Sequence, residues 1–201
     1  MSGAVVTSAT RQQKRGAARR EALVLAAADL FWRNGFAATS IADVAENAEV
    51  PLGNVYYYFK TKADLAEAVA RLFVQQTEAL IAEVNDEATE PRQALKLIIQ
   101  RLKATQAERV KHGCPIANAC RSFAVPAPEA AKTAAESFTV LAGYVAKQLV
   151  ATGQRPSVAL SRARSVLCDW QGGIALAHAL GEAQVLSEAF LRMERTVSQS
   201  N

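Results

Sequence analysis

Apolar residues recur every three or four positions along nearly the whole chain, the spacing of one face of an α-helix. Leu23, Ala27, Leu30 and Phe31 mark a first helix from near Gly16 to Asn34, where Asn34-Gly35 stops it. Ser40 followed three residues on by Asp43 is a capping-box pattern, and it opens a second helix that turns Ile41, Val44 and Ala45 inward. Ala48-Glu49-Val50 reads as a turn. Pro51 suits the first position of a third helix, where no amide is needed, and Val55 and Phe59 anchor it. Thr61 with Asp64 repeats the capping pattern and starts a long fourth helix to about Val84, with Leu65, Val69, Leu72, Phe73 and Leu80 on one face.

After the polar, acidic loop 85–91, a fifth helix runs from Pro91 to about Lys111 and carries Leu95, Ile98, Ile99 and Leu102. His112-Gly113-Cys114-Pro115 breaks it, a short sixth helix reaches Phe123, and Pro126 and Pro128 set the next boundary. Ala134, Phe138, Leu141, Val145 and Leu149 define a seventh helix ended by Thr152-Gly153. Pro156 or Ser157 starts an eighth, with Ala163, Val166, Leu167, Trp170, Ile174 and Ala177 aligned, and Gly181 ends it. The last helix carries Val185, Leu186, Phe190 and Met193. No strand or internal repeat is predicted. The fold class is all-α, with roughly nine helices: a flexible basic arm at 1–16, a three-helix head with a helix-turn-helix at 17–63, and a larger helical body at 64–201.

Composition narrows the function classes. Half of the 201 residues are hydrophobic, enough for a real core, yet no apolar run approaches the roughly 20 residues of a membrane span. The N-terminus has no apolar stretch of the export type, so a cytoplasmic protein without membrane partners is expected. The net charge of +4 is unevenly placed: through Arg20 there are five basic residues (Arg11, Lys14, Arg15, Arg19, Arg20) and no acidic one. Cys114, Cys120 and Cys168 have no metal-ligand spacing and their odd number argues against a disulfide framework. With only two histidines, no Gly-rich phosphate loop and no nucleophile–base arrangement, the chain is not expected to be an enzyme or to hold a metal or cofactor. Cys114 and His112, two residues apart at a helix start, form the one pair of catalytic type and stay open as the enzyme alternative, although that spacing does not by itself make them face each other.

Residues 39–62 concentrate the chemistry. They read as two short helices about a turn, with Asn54, Tyr56 and Tyr57 on the exposed face of the second and Lys60 and Lys62 just after it. Such a pair suits the major groove and phosphates of duplex DNA, and the basic residues upstream, Arg19 among them, would add counterion release. Tyr58 and Phe59 read as packing residues, and Lys60 equally as a solvated charge. In order, Gly35, Phe36, Thr39, Ser40, Val44, Ala45, Gly53, Tyr56, Tyr57, Phe59 and Lys62 resemble the head of the TetR family of bacterial transcriptional regulators, over residues 17–70. The resemblance implies phosphate contacts from Thr39, Ser40, Tyr57 and Lys62, and a groove-facing surface of Leu52, Gly53, Asn54 and Tyr56. Three positions depart from the family pattern: Glu49 replaces a turn Gly, Pro51 a Ser or Thr cap, and Tyr58 a His.

For the body, the resemblance implies a homodimer through the last two long helices, with small residues Ala159, Ala163, Gly172, Gly173, Ala175 and Ala177 permitting close approach. It also implies an effector pocket among the fourth, fifth, seventh and eighth helices. Its candidate lining is Phe73, Gln76, Arg101, Phe123, Phe138, Trp170, Gln171 and His178, with Gln76 and Arg101 interrupting apolar faces. Core packing competes at every aromatic, and a core or interface role competes at His178. Gly113-Cys114-Pro115 resembles a motif of a subgroup of the family. Cys114 begins a helix near Lys111, His112 and Arg121, which favours thiolate, while simple packing is the competing reading. The expected function is a ligand-responsive regulator, a repressor released from a palindromic double-stranded DNA operator by a small molecule or electrophile. A cysteine redox regulator without a reversible ligand is the alternative, and a helical enzyme or an architectural DNA-binding protein stand further off.

Overall fold

The computed structural model describes residues 8–199. Among the described residues there is no strand, and ten helices follow in order: α1 (Ser8–Arg33), α2 (Ile41–Asn47), α3 (Leu52–Tyr58), α4 (Lys62–Glu87), α5 (Pro91–Ala104), α6 (Gln106–His112), α7 (Pro115–Phe123), α8 (Pro128–Ala151), α9 (Pro156–Leu180) and α10 (Ala183–Ser198). Capping boxes form at both predicted places. The Ser40 hydroxyl accepts from the Asp43 amide while the Asp43 carboxylate accepts from the Ser40 amide, and Thr61 and Asp64 do the same at the start of α4.

Two boundaries differ from the sequence reading. The first helix begins at Ser8, so residues 8–16 of the expected flexible arm are helical, while residues 1–7 and the Arg11 side chain lie outside the described residues. Gln13, Lys14, Arg15, Ala17 and Ala18 are good helix formers, and a single interior glycine costs only about 1 kcal/mol. Gly16 also faces another helix, since a methyl there would lie 3.6 Å from the Tyr58 hydroxyl. The second difference raises the helix count. The predicted fifth helix breaks at Thr105, whose amide and hydroxyl both donate to the Leu102 carbonyl at 3.2 and 2.7 Å, leaving α6 as a separate seven-residue helix.

The head, α1–α3, buries Leu23, Ala27, Val44, Val55 and Phe59. In the body, α4 packs along α8, and α9 along α10, with Leu65, Val69, Leu149, Ile174, Leu186 and Phe190 fully buried. Ala159, Ala163, Gly173 and Ala177, expected at a subunit interface, are instead buried within the chain. Gly173 is the tightest of them, because a methyl there would sit 2.5 Å from the Ala189 Cβ and 3.2 Å from Leu186 Cδ1. Ala189 cannot swing away, since its Cβ is fixed to the α10 backbone. Gly173→Ala must therefore push α10 off α9, and overpacking of this kind costs about 1–3 kcal/mol, which thermal unfolding followed by circular dichroism will register as a lowered midpoint.

Candidate nucleic-acid interface and body cavity

The outward face of α3 comes from its periodicity. Val55 and Phe59 point into the head core at 0% and 2% exposure, with the Arg20 guanidinium 5.1 Å from the Phe59 ring centroid. That leaves Leu52, Gly53, Asn54, Tyr56 and Tyr57 on the opposite arc, all exposed, with Tyr57 the most prominent at 78%. A methyl at Gly53 would meet nothing within 4 Å, so no packing within the chain demands glycine there. Arg19 is exposed on α1. Ser40 caps α2 and is exposed; its oxygen accepts from Asp43, which leaves its proton free to donate outward. The Ser40 amide holds the Asp43 carboxyl below the usual carboxylate range, so a negative charge already sits at this helix start.

Three residues expected on DNA phosphates have other work. Thr39 is 2% exposed, and its hydroxyl donates to the carbonyls of Gly35 at 2.9 Å and Leu30 at 3.4 Å, closing the end of α1. A buried hydroxyl committed to carbonyls is not a surface phosphate contact. Lys62 is half-buried, donates to the Phe36 carbonyl, and lies 4.2 Å from the Phe36 ring centroid. Burial pushes its ammonium below the usual lysine range, against the pull of Asp43. Lys60 is exposed, and its ammonium reaches back to the Tyr56 carbonyl at 2.8 Å, capping α3.

The head is pinned to the body where α1 ends. The Trp32 indole N–H donates to the carbonyls of His112 and Gly113, both at 3.1 Å. Phe31, Phe36 and Phe123 meet edge-to-face, with centroids 5.0 to 5.9 Å apart. Phe123, expected in the pocket, is therefore an element of this joint. His178, also expected there, is exposed and donates from Nδ1 to the Val110 carbonyl at 3.0 Å, tying α9 to α6. Arg101 is exposed as well and pairs with Glu87 at 2.6 Å. Its position on α5 is one step round from the buried Leu102, which is why it looked like a break in the apolar face.

The body does contain a cavity, of about 130 Å³, lined by Phe73, Gln76, Thr77 and Leu80 of α4, Leu102 of α5, Arg109 of α6, Pro115 and Ile116 of α7, Ser137, Phe138 and Leu141 of α8, and Trp170 of α9. Phe73, Gln76, Phe138 and Trp170 were the sequence candidates brought together here. Gln171 is half-buried but does not line the cavity, and Cys114 is buried behind Pro115, in contact with Arg109. Sequence reasoning missed Arg109, Ser137 and Thr77. A signal for Arg109 existed in the sequence: it follows Leu95 and Leu102 at seven-residue spacing, which on the single helix predicted there would have put it on their face.

Comparison with known proteins converges on one family. The description "Bacterial regulatory proteins, tetR family" matches residues 23–69, and "Transcriptional regulator LmrA/YxaF-like, C-terminal domain" matches residues 91–190, so head and body are both recognised. The chain belongs to the TetR family. It is thus a DNA-binding transcriptional regulator by family. The repressor KstR2 of Mycolicibacterium smegmatis is 34% identical over 79 residues, 39% of this chain, and that match spans only 38% of the repressor's length. An HTH-type regulator of the lacX 3′ region in Lactococcus lactis is 24% identical over 85% of this chain and 89% of its own. TetR-family structures from Legionella pneumophila (TM-score 0.78, 18% identity, 88% of this chain and 96% of that one) and Agrobacterium tumefaciens (0.76, 21%, 90% and 97%) share the fold.

Against the TetR pattern, the turn residue Glu49 now has a structural meaning. Its φ is 54°, the left-handed region, and it is the one non-glycine with positive φ among the described residues. A side chain there costs about 1–2 kcal/mol, which glycine escapes while losing about 0.5–1 kcal/mol in chain entropy. Glu49→Gly is accordingly expected to stabilise the protein by up to about 1 kcal/mol, measured as a rise in the urea midpoint at unchanged slope.

Proposed function

We propose that the protein is a homodimeric repressor, held in the cytoplasm by its work on DNA, that leaves a palindromic operator when a small molecule enters the body cavity. The observation that carries the DNA part is the outward arc of α3, with Leu52, Gly53, Asn54, Tyr56 and Tyr57 exposed on a helix anchored by Val55 and Phe59. Asn54 and Tyr56 have the groups to read base edges, while Tyr57, Ser40 and Arg19 reach phosphates and fix register. A head this small covers few base pairs, so a two-fold pair about one helical turn apart, roughly 34–36 Å, gains both affinity and selectivity.

The dimer reading rests on α9 and α10. Leu160, Leu176 and Leu180 on α9 and Leu191 on α10 are 40 to 54% exposed, and Gly172 and Ala175 beside them are exposed too. Two such faces bury one another in a four-helix bundle. Control follows from linkage: the effector must bind the state with misplaced heads more tightly than the DNA-competent one, and coupling of this kind runs about 1–3 kcal/mol. The contact of Arg109 with Cys114 favours a second reading, a cysteine sensor, but Cys114 is 3% exposed and shielded from solution oxidants, so the reversible ligand is preferred. Cys114→Ser is expected to leave effector-driven release intact.

Fluorescence anisotropy on DNA from upstream of the protein's own gene provides the test. Sequence-selective binding that weakens steeply with salt is expected, and Arg19→Ala should reduce the salt slope by about 1 per head. Tyr57→Ala should weaken binding on all sequences alike. Leu176→Glu with Leu180→Glu should yield monomers in light scattering and lose operator binding. Tight binding indifferent to sequence would instead make this an architectural DNA-binding protein.

A further inference from the structure

The polar atoms around the body cavity share one character. Arg109 Nη1, Trp170 Nε1 and Ser137 Oγ are all buried without a partner in the chain, and all three residues line the cavity. Ser137 is 1% exposed and Trp170 2%. Two of these atoms can only donate and the third is able to. Arg109 is the one charged residue in the lining, and no carboxylate lines the cavity with it. Its Nε is occupied by the Thr105 hydroxyl at 2.9 Å and its guanidinium stacks 5.1 Å from the Trp170 ring centroid, so the side chain is fixed from two directions. Apart from Gln76 and Thr77, whose hydroxyl is spent on the Phe73 carbonyl, the remaining walls are apolar, with Phe73, Phe138 and Trp170 supplying aromatic surface.

Unpaired buried donors around a cation, with no carboxylate in the lining to face them, call for an anion. We propose that this cavity selects a one-ring aromatic carboxylate, its carboxylate on Arg109, Ser137 and Trp170 and its ring among Phe73 and Phe138. The proposal rests on the reading of the cavity as the effector site. Arginine suits this role because its planar fork matches a carboxylate geometrically, and the apolar walls strengthen the attraction. Size sets the single ring. The cavity measures about 130 Å³, while an engineered cavity of roughly 150 Å³ in another protein accepts benzene and drug-sized ligands need about 300 Å³ or more. Burial pushes the Arg109 pKa down, partly offset by Cys114, so the cation stands to gain from a full negative charge.

Calorimetric titration of the full chain with benzoate, phenylacetate and 3-phenylpropanoate, each beside its neutral amide, tests the proposal. At least one acid is expected to bind tenfold or more tightly than its amide, as charge-assisted hydrogen bonds allow. Arg109→Gln should abolish that preference, Arg109→Lys should keep part of it, and Ser137→Ala should weaken the acid several-fold. If Arg109→Gln fails to fold, the wild-type acid-to-amide ratio and the other two variants decide the matter. Amides binding as tightly as acids, an acid bound equally by Arg109→Gln, or no binding by any of the six compounds at millimolar concentration overturns it. Anisotropy on the operator separates the two claims. Operator binding that the bound acid does not release removes the acid as effector and leaves the regulator standing. Absence of operator binding removes the regulator reading, while calorimetry still decides the anion site.

Discussion

One indole nitrogen holds the two halves of this molecule in register. The Trp32 N–H lies between the carbonyls of His112 and Gly113, at the point where α6 ends and the chain turns into α7. Those carbonyls belong to a helix terminus, where no intrahelical donor is available, so the head supplies what the body lacks. Around the hydrogen bond, Phe31, Phe36 and Phe123 close an aromatic triangle, and the Lys62 ammonium caps the Phe36 carbonyl from the start of α4. Gly113 permits the arrangement through a φ of 75°, and Asn118 Nδ2 adds a second donor to the His112 carbonyl at 3.2 Å. The orientation of α3 in space is set by this joint together with α4, since α2 and α3 pack on α1 and α1 packs on α4.

The same short helix faces the cavity. Arg109 looks into it from the middle of α6, and three residues later His112 presents its carbonyl to Trp32. Val110, between them, is bound by His178 of α9, so α6 is gripped on one side by the body and on the other by the head. The cavity wall at Arg109 and the carbonyl that receives the head's indole hydrogen bond thus lie on one seven-residue helix. The break at Thr105 makes α6 a helix separate from α5.

Local sequence carried much of the architecture. Capping residues Ser40 and Thr61, the breakers Gly35, Gly113 and Gly181, and the spacing of Leu23, Val44, Val55, Leu65 and Ile174 were sufficient to place most helices and the core face of each. The α5–α6 break was not legible, because Thr105 and Gln106 are ordinary helix residues and the interruption arises from a side chain turning back onto Leu102. Within the site, the sequence pattern placed Asn54, Tyr56 and Tyr57 on the exposed face of α3, and the family resemblance added Leu52 and Gly53. The roles of Thr39 and Lys62 were not legible: both carry groups suited to phosphate, and only the path of the α1–α2 connection shows that nearby carbonyls claim them first.

The sequence by itself therefore determined most of the helices and the exposed face of α3, since these depend on residues within a turn or two of one another. Which polar groups are spent internally and which remain for a ligand was decided by tertiary structure. Arg101 and Arg109 are alike in composition and stand eight positions apart, yet one meets Glu87 in solvent and the other lies half-buried over Trp170 with one enclosed nitrogen unpaired. The difference is desolvation. A guanidinium in water loses little by lacking a partner, whereas one enclosed by α4, α8 and α9 retains a strong demand for an acceptor, and that enclosure is built from residues far apart in the chain.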